Sequence, residues 1–185
     1  MFWNIDPSHT RATFSVRHMM ISWVHGTFDN IDGTIEFDPR RPEKTRVDVK
    51  IAADSINTHD GKRDGHLKSP DFLDAEKYPS LTFTSKRVNI LDDSHARLTG
   101  DLTIRDITRE VELDVEYAGM VKSPWGSTSA GFTATTQINR KDWNLTWNVA
   151  LETGGALVGD MIKITMELEL VQQATPEAAG EAVAA

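Results

Sequence analysis

The side chains best suited to chemistry crowd into one stretch, Asn57 to Phe83, where Arg63, Asp64 and His66 stand close together. Three uses fit such a set. The groups can pair with one another and tie a loop down, they can hold the polar head of a ligand, or the carboxylate can orient the imidazole for acid–base work. No nucleophile elbow, glycine-rich phosphate loop or second matched carboxylate accompanies them. Acid–base catalysis, with His66 or His18 as base and Asp64 orienting it, is therefore the second reading, and no residue is assigned a catalytic role in the first.

The histidines are His9, His18, His25, His59, His66 and His95, and none shows the paired spacing of a zinc site. No metal and no cofactor is expected. His18 shares a strand face with Phe14 and Val16, so it is either satisfied by backbone in a core or able to donate into a cavity. A second cluster follows Ile138, with Arg140 and Asp142 placed to pair locally and Trp143 and Trp147 placed to seal one end of a barrel.

What positions these groups is a β scaffold. Phe14, Val16 and His18 alternate with Ser15 and Arg17. The same period recurs in Val47, Val49 and Ile51, in Ala96 to Ile104, in Val111 to Tyr117, in Phe132 to Ile138 and in Ile162 to Leu170. The acidic partners Glu110, Glu112, Asp114 and Glu116 mark an outer face. Phe28 and Ile35 are an odd number of residues apart, which requires a bulge near Asn30 to Gly33 if both point inward. Val88 and Ile90 likewise follow Leu81 and Phe83 only after a shift of face. About eight strands joined by short connections indicate an antiparallel barrel or sandwich.

Ser69-Pro70-Asp71 reads as a helix start, with Ser69 as N-cap and Pro70 at the first helical position. A helix so short cannot stand alone, so Phe72 and Leu73 must plug something apolar. They either cap the barrel end or line its mouth.

Composition bounds the rest. The 185 residues suit one domain, and the absence of cysteine rules out disulfides and thiol chemistry. A net charge of −8 without a basic run opposes nucleic acid and anionic membrane surfaces at long range, and leaves only local basic spots as exceptions. No stretch approaches the roughly 18 apolar residues of a membrane span, so no stable membrane insertion is expected. The opening Met1-Phe2-Trp3-Asn4 lacks a signal-peptide pattern, which makes the cytoplasm the expected location. Residues 172–185 are Ala-rich and lose the alternation, so the domain is placed at 1–171 with a tail behind it.

Several blocks in order resemble the YceI-like, polyisoprenoid-binding family. They are Phe14-Ser15-Val16-Arg17-His18 with Gly26-Thr27-Phe28, Arg63-Asp64-Gly65-His66-Leu67-Lys68-Ser69 with Asp71-Phe72, Tyr78-Pro79 and Phe83, Gly100-Asp101-Leu102-Thr103-Ile104-Arg105, Ile138-Asn139-Arg140-Lys141-Asp142, and Val158-Gly159-Asp160. Asp106 and Asn144 stand where glycine is common in that family, and both residue types tolerate a left-handed backbone.

The resemblance implies an all-β, lipocalin-like antiparallel β-barrel with a short helical lid segment, whose apolar tunnel carries a polyisoprenoid, quinone-like or fatty lipid. It also suggests a homodimer, and it makes a lipid or quinone-like compound the substrate of the second, catalytic reading. The expected wall is Phe14, Val16, Phe28, Ile35, Phe37, Ile51, Phe72, Phe83, Leu102 and Phe132. The expected head-group donors are His18, Arg63, His66 and Arg140.

Overall fold

A computed structural model describes residues 1–124, 126–152 and 154–172. Positions 173 to 185 of the expected tail lie outside the described residues. In chain order the elements are β1 (Phe2–Ile5), β2 (Arg11–His18), β3 (Ser22–Phe28), β4 (Ile31–Glu36), β5 (Arg46–Ala52), β6 (Ile56–Asn57), α1 (Gly61–Lys68), β7 (Ser80–Ile90), β8 (His95–Ile104), β9 (Ile107–Lys122), β10 (Thr128–Asn139) and β11 (Val158–Gln172).

The long last strand closes the sheet. One edge of β11 pairs with β10, while the other pairs with β2 from Val158 to Glu167 and then with β1 from Leu170 to Gln172. β1 and β2 thus occupy one strand position, interrupted between Ile5 and Arg11. β3 and β4 share the next, and β5 and β6 the one after. With β7, β8, β9, β10 and β11 these make a closed eight-stranded antiparallel barrel in which neighbours in space are neighbours in sequence. Closure pairs most strand edges among the described residues, and β3 lacks a second strand partner over Ser22–Gly26 because β6 reaches only Thr27 and Phe28.

The two changes of face take the form that strand parity demands. Phe28 and Ile35 both face inward because the strand position breaks at Asp29-Asn30, and the register against β5/β6 shifts there. In β7 the pairing with β8 skips between Ser85 and Arg87, which turns Val88 and Ile90 to the side already occupied by Leu81 and Phe83. The outer face is charged: Lys86 bridges Asp101 and Glu110, and Arg97 bridges Glu112 and Asp114. Such exposed pairs add little stability and chiefly keep that face in water.

The helix is not where the Ser-Pro signal places it. It runs from Gly61 to Lys68 and is capped by Asp60, whose carboxylate accepts the backbone N–H groups of Lys62 and Arg63, both at 3.0 Å. Ser69 ends it. The residue before a proline is driven out of the helical region, and Ser69 is accordingly extended, its hydroxyl donating back to the His66 carbonyl at 2.7 Å. Phe72 to Tyr78 then form successive turns, in which the N–H groups of Leu73 and Ala75 satisfy the carbonyls of Leu67 and Lys68 at the end of α1. Phe72 and Leu73 are buried all the same.

Candidate functional site

The barrel is hollow. A cavity of about 380 Å³ runs along it, within the range of small-molecule sites. Every strand position contributes apolar side chains to its wall, among them Val16, Ile35, Val49, Leu98, Leu113 and Met166. Small residues make the room: Ala12 and Ala134 are buried, inward-facing and on the wall.

The two poles differ. At one, the wall is made of buried or half-buried residues only: Ile56, Leu67, Phe72, Leu73, Arg140 and Leu145. This is the floor, built from the two long excursions of the chain, residues 53–79 and 140–157. At the other pole the wall reaches the exposed residues Pro39, Ile90, Asp92, Asp93 and His95, in the β4–β5 connection and the β7–β8 turn. This is the mouth. The segment holding α1 therefore closes the end opposite the opening; of the two roles open to Phe72 and Leu73, the structure gives them the first.

The floor is pinned by Arg140, which is 2 % exposed. Its Nε–H donates to the Gly159 carbonyl, Nη1 donates to the carbonyls of Leu145 and Trp147, and Nη2 donates to that of Val158 and lies 3.7 Å from Asp160. Burial pulls the guanidinium below its ordinary pKa and the Asp160 carboxylate opposes that. The expected local pair with Asp142 does not form; Asp142 instead offers its backbone carbonyl to Arg109. Trp143 seals the same pole and donates its indole N–H to the Leu102 carbonyl at 3.1 Å. Asn144 ends this turn in the left-handed conformation, whereas at the β8–β9 turn the left-handed residue is Arg105 rather than Asp106.

The remaining polar candidates stand off the wall. Arg63 donates through Nε to the Thr58 hydroxyl and through Nη2 to the Thr58 carbonyl, while Asp64 accepts from the Thr58 N–H and hydroxyl. These bonds fasten α1 to β6. The partner of His66 is Asp71, at 2.8 Å, and not Asp64; its ring meets Phe72 and Trp147 edge to face. His18 sits at the end of β2, away from the cavity. Thus His18, Arg63 and His66 do not line the cavity, and Arg140 lines it with its donors already engaged. Phe14, Val16, Phe28, Ile35, Phe37, Ile51, Phe72, Phe83, Leu102 and Phe132 all lie on the wall.

The model of the YceI-like domain matches residues 3–170. This chain belongs to the YceI-like family. It is 41 % identical over 140 residues to Protein YceI of Escherichia coli O157:H7, covering 76 % of this chain and 73 % of that one. It is 38 % identical over 165 residues to the UPF0312 protein SAS2572 of Staphylococcus aureus, covering 89 % and 94 %. Among solved structures, the Campylobacter jejuni YceI protein superposes with a TM-score of 0.74 at 33 % identity, over 85 % of this chain and 90 % of that one. A polyisoprenoid-binding domain from Saccharophagus degradans shares the fold at 12 % identity, with a TM-score of 0.65 over 92 % and 98 %.

The mouth is what strand parity did not single out. Its β7–β8 turn is organised by Asp92, whose carboxylate accepts from the backbone N–H groups of Ser94 and His95 and faces the His95 ring at 2.9 Å. Those bonds, the Ser94 N–H foremost, hold the Asp92 carboxyl at a pKa of about 2. Asp92-Asp93-Ser94 is a turn signal by residue type alone, and nothing local in it says that the turn rims a cavity. Tyr117 also joins the wall, its phenol pushed up by burial.

Proposed function

We propose that this protein binds and carries an extended apolar molecule, of isoprenoid or fatty type, with its chain in the barrel and its polar end at the mouth. The observation that carries this is a cavity walled by apolar side chains from every strand position, closed at one pole and open at the other. Desolvation then supplies the affinity. At about 0.8 kcal/mol per buried methylene-sized group, a five-carbon isoprene unit contributes roughly 3 to 4 kcal/mol before association costs. A few units suffice without many polar contacts.

Selectivity in this reading comes from cavity depth, set by the floor of Phe72, Leu73 and Leu145, and from the Asp92 to His95 rim. The Saccharophagus degradans domain of the same fold is a polyisoprenoid-binding domain, which agrees with it. The site favours binding over turnover, because the His66–Asp71 pair stands outside the cavity and Arg140 spends its donors on backbone carbonyls.

Native mass spectrometry of gently purified protein, with and without added polyprenols, prenylquinones and fatty acids, tests the proposal. A stoichiometric adduct supports it. No co-purified lipid and no uptake of any of the three classes would overturn it.

A further inference from the structure

The β2–β3 hairpin carries a feature that the cavity does not use. Its tip is Met19-Met20-Ile21, and both methionines have a left-handed backbone, φ 51° and 64°, as in a type I′ turn. Such turns favour Asn and Gly, because a side chain at positive φ crowds its own backbone. Here two long apolar residues occupy both positions. They are nevertheless not buried: Met19 is 42 % and Met20 57 % exposed, and the adjoining Ile21 80 %.

The tip is one corner of a larger patch. Met19 donates its N–H to the Leu157 carbonyl, Leu157 donates to Val149, and Gly155 lies against the Met20 side chain. Val149, Met161 and Trp23 are also exposed. Trp23 is flanked by two cations, the Arg17 guanidinium 4.7 Å and the Lys163 ammonium 4.8 Å from its ring centroid. Among the described residues neither cation is in an ion pair. An exposed apolar tip with a tryptophan and unpaired basic groups at its base is what an anionic bilayer surface recognises: apolar side chains enter the interface, the indole sits at headgroup level, and the cations meet lipid phosphate.

We infer that the Met19-Met20-Ile21 hairpin is a peripheral docking site for anionic lipid bilayers. The patch lies at the floor pole, where His18 pairs with Ser22 and with Val158, so docking leaves the mouth free. The mouth pole also exposes apolar groups, including Phe2, Leu91 and Val121, and carries both the acidic Asp92-Asp93 turn and the basic Arg40, Lys44 and Lys122, so it serves as the control surface in the test. Docking through this hairpin is independent of what the cavity holds. Strain kept at an exposed tip marks selection for something other than stability.

The test is flotation of the full chain with vesicles of phosphatidylcholine alone and of phosphatidylcholine with phosphatidylglycerol, alongside thermal unfolding and sedimentation velocity. The wild type should float with the mixed vesicles, and less so at high salt. The variant Met19→Asn/Met20→Gly should unfold several degrees higher, yet partition to mixed vesicles at least tenfold more weakly. Arg17→Gln/Lys163→Gln should lose the preference for the anionic lipid, and Leu91→Ser/Val121→Ser should float like the wild type.

Four results would each overturn the inference: no flotation of the wild type, undiminished flotation of the methionine variant, loss of flotation in the Leu91/Val121 variant, or a wild-type dimer that the methionine variant dissolves. The last would make the hairpin an interface between two copies of this chain.

Discussion

The ring of Phe14 lies across the backbone of Gly26, its partner on the neighbouring strand, so closely that a Cβ placed on Gly26 would come within 2.6 Å of Phe14 Cε1. Phe83 lies over Gly100 in the same way on the β7–β8 pair, though diagonally, since Gly100 is in register with Ser85; a Cβ there would lie 2.5 Å from Phe83 Cζ. In each pair a glycine on one strand gives a wall aromatic its resting place, and the ring sets the local cavity width. Gly26→Ala is therefore expected to destabilise the fold by about 1–3 kcal/mol through overpacking. Phe14→Leu in the same chain should restore part of that loss. Urea denaturation of the single and double variants measures it; simple additivity would show that the two residues do not compete for the same space.

Filling the cavity should separate binding from folding. Val16 and Ala134 face inward, buried on the wall. Val16→Trp or Ala134→Phe is expected to lower the uptake of an apolar ligand at least tenfold while costing about 1–3 kcal/mol of stability. Displacement of a fluorescent fatty probe, read beside the thermal midpoint, checks this. Unchanged affinity in both variants would place the ligand elsewhere.

Arg140 is expected to matter for folding more than for recognition. Arg140→Met strands the carbonyls of Gly159, Leu145 and Trp147 in the floor and should cost at least about 3 kcal/mol. Arg140→Lys should also destabilise, because a three-donor ammonium cannot reproduce the planar fork. A lysine variant of wild-type stability with weakened ligand binding would instead make Arg140 a head-group contact.

His66→Ala should leave ligand uptake in place and cost about 1–2 kcal/mol of stability, from the lost edge-to-face contacts with Phe72 and Trp147. Turnover of a prenyl or acyl compound by the wild type that disappears in this variant would reveal chemistry at the His66–Asp71 pair.

The mouth turn carries a pH dependence of definite sign. Asp92 titrates at about 2 in the folded chain against 3.8 in the unfolded one, so its contribution is complete above pH 3.8 and is lost as the pH falls toward 2. Carboxyl NMR should find the Asp92 midpoint near 2. His95→Ala should move it upward, toward the ordinary value, because one of the bonds that favour the carboxylate is removed. A midpoint near 3.8 in the wild type would mean that the turn is open in solution.

The strands and their inward faces were legible in the residues because a two-residue period with charges on one side has a single physical solution in a closed sheet. Both changes of face, at Asp29-Asn30 and between Ser85 and Arg87, were legible for the same reason: parity fails there, and only an irregular step repairs it. The helix start was misplaced because Ser69-Pro70 and Asp60 are both plausible caps. What decided was the extended backbone before Pro70 together with the two N–H groups that Asp60 captures. The poles could not be read at all. Which end of a barrel is open depends on where two distant excursions, 53–79 and 140–157, meet, and that is set by closure of the ring through β11 rather than by any local pattern. The same closure turned Arg63 and His66 from expected head-group donors into ties within the floor and gave Arg140 its carbonyl partners. It also left the rim to a turn, Asp92 to His95, that a linear reading sees only as a turn.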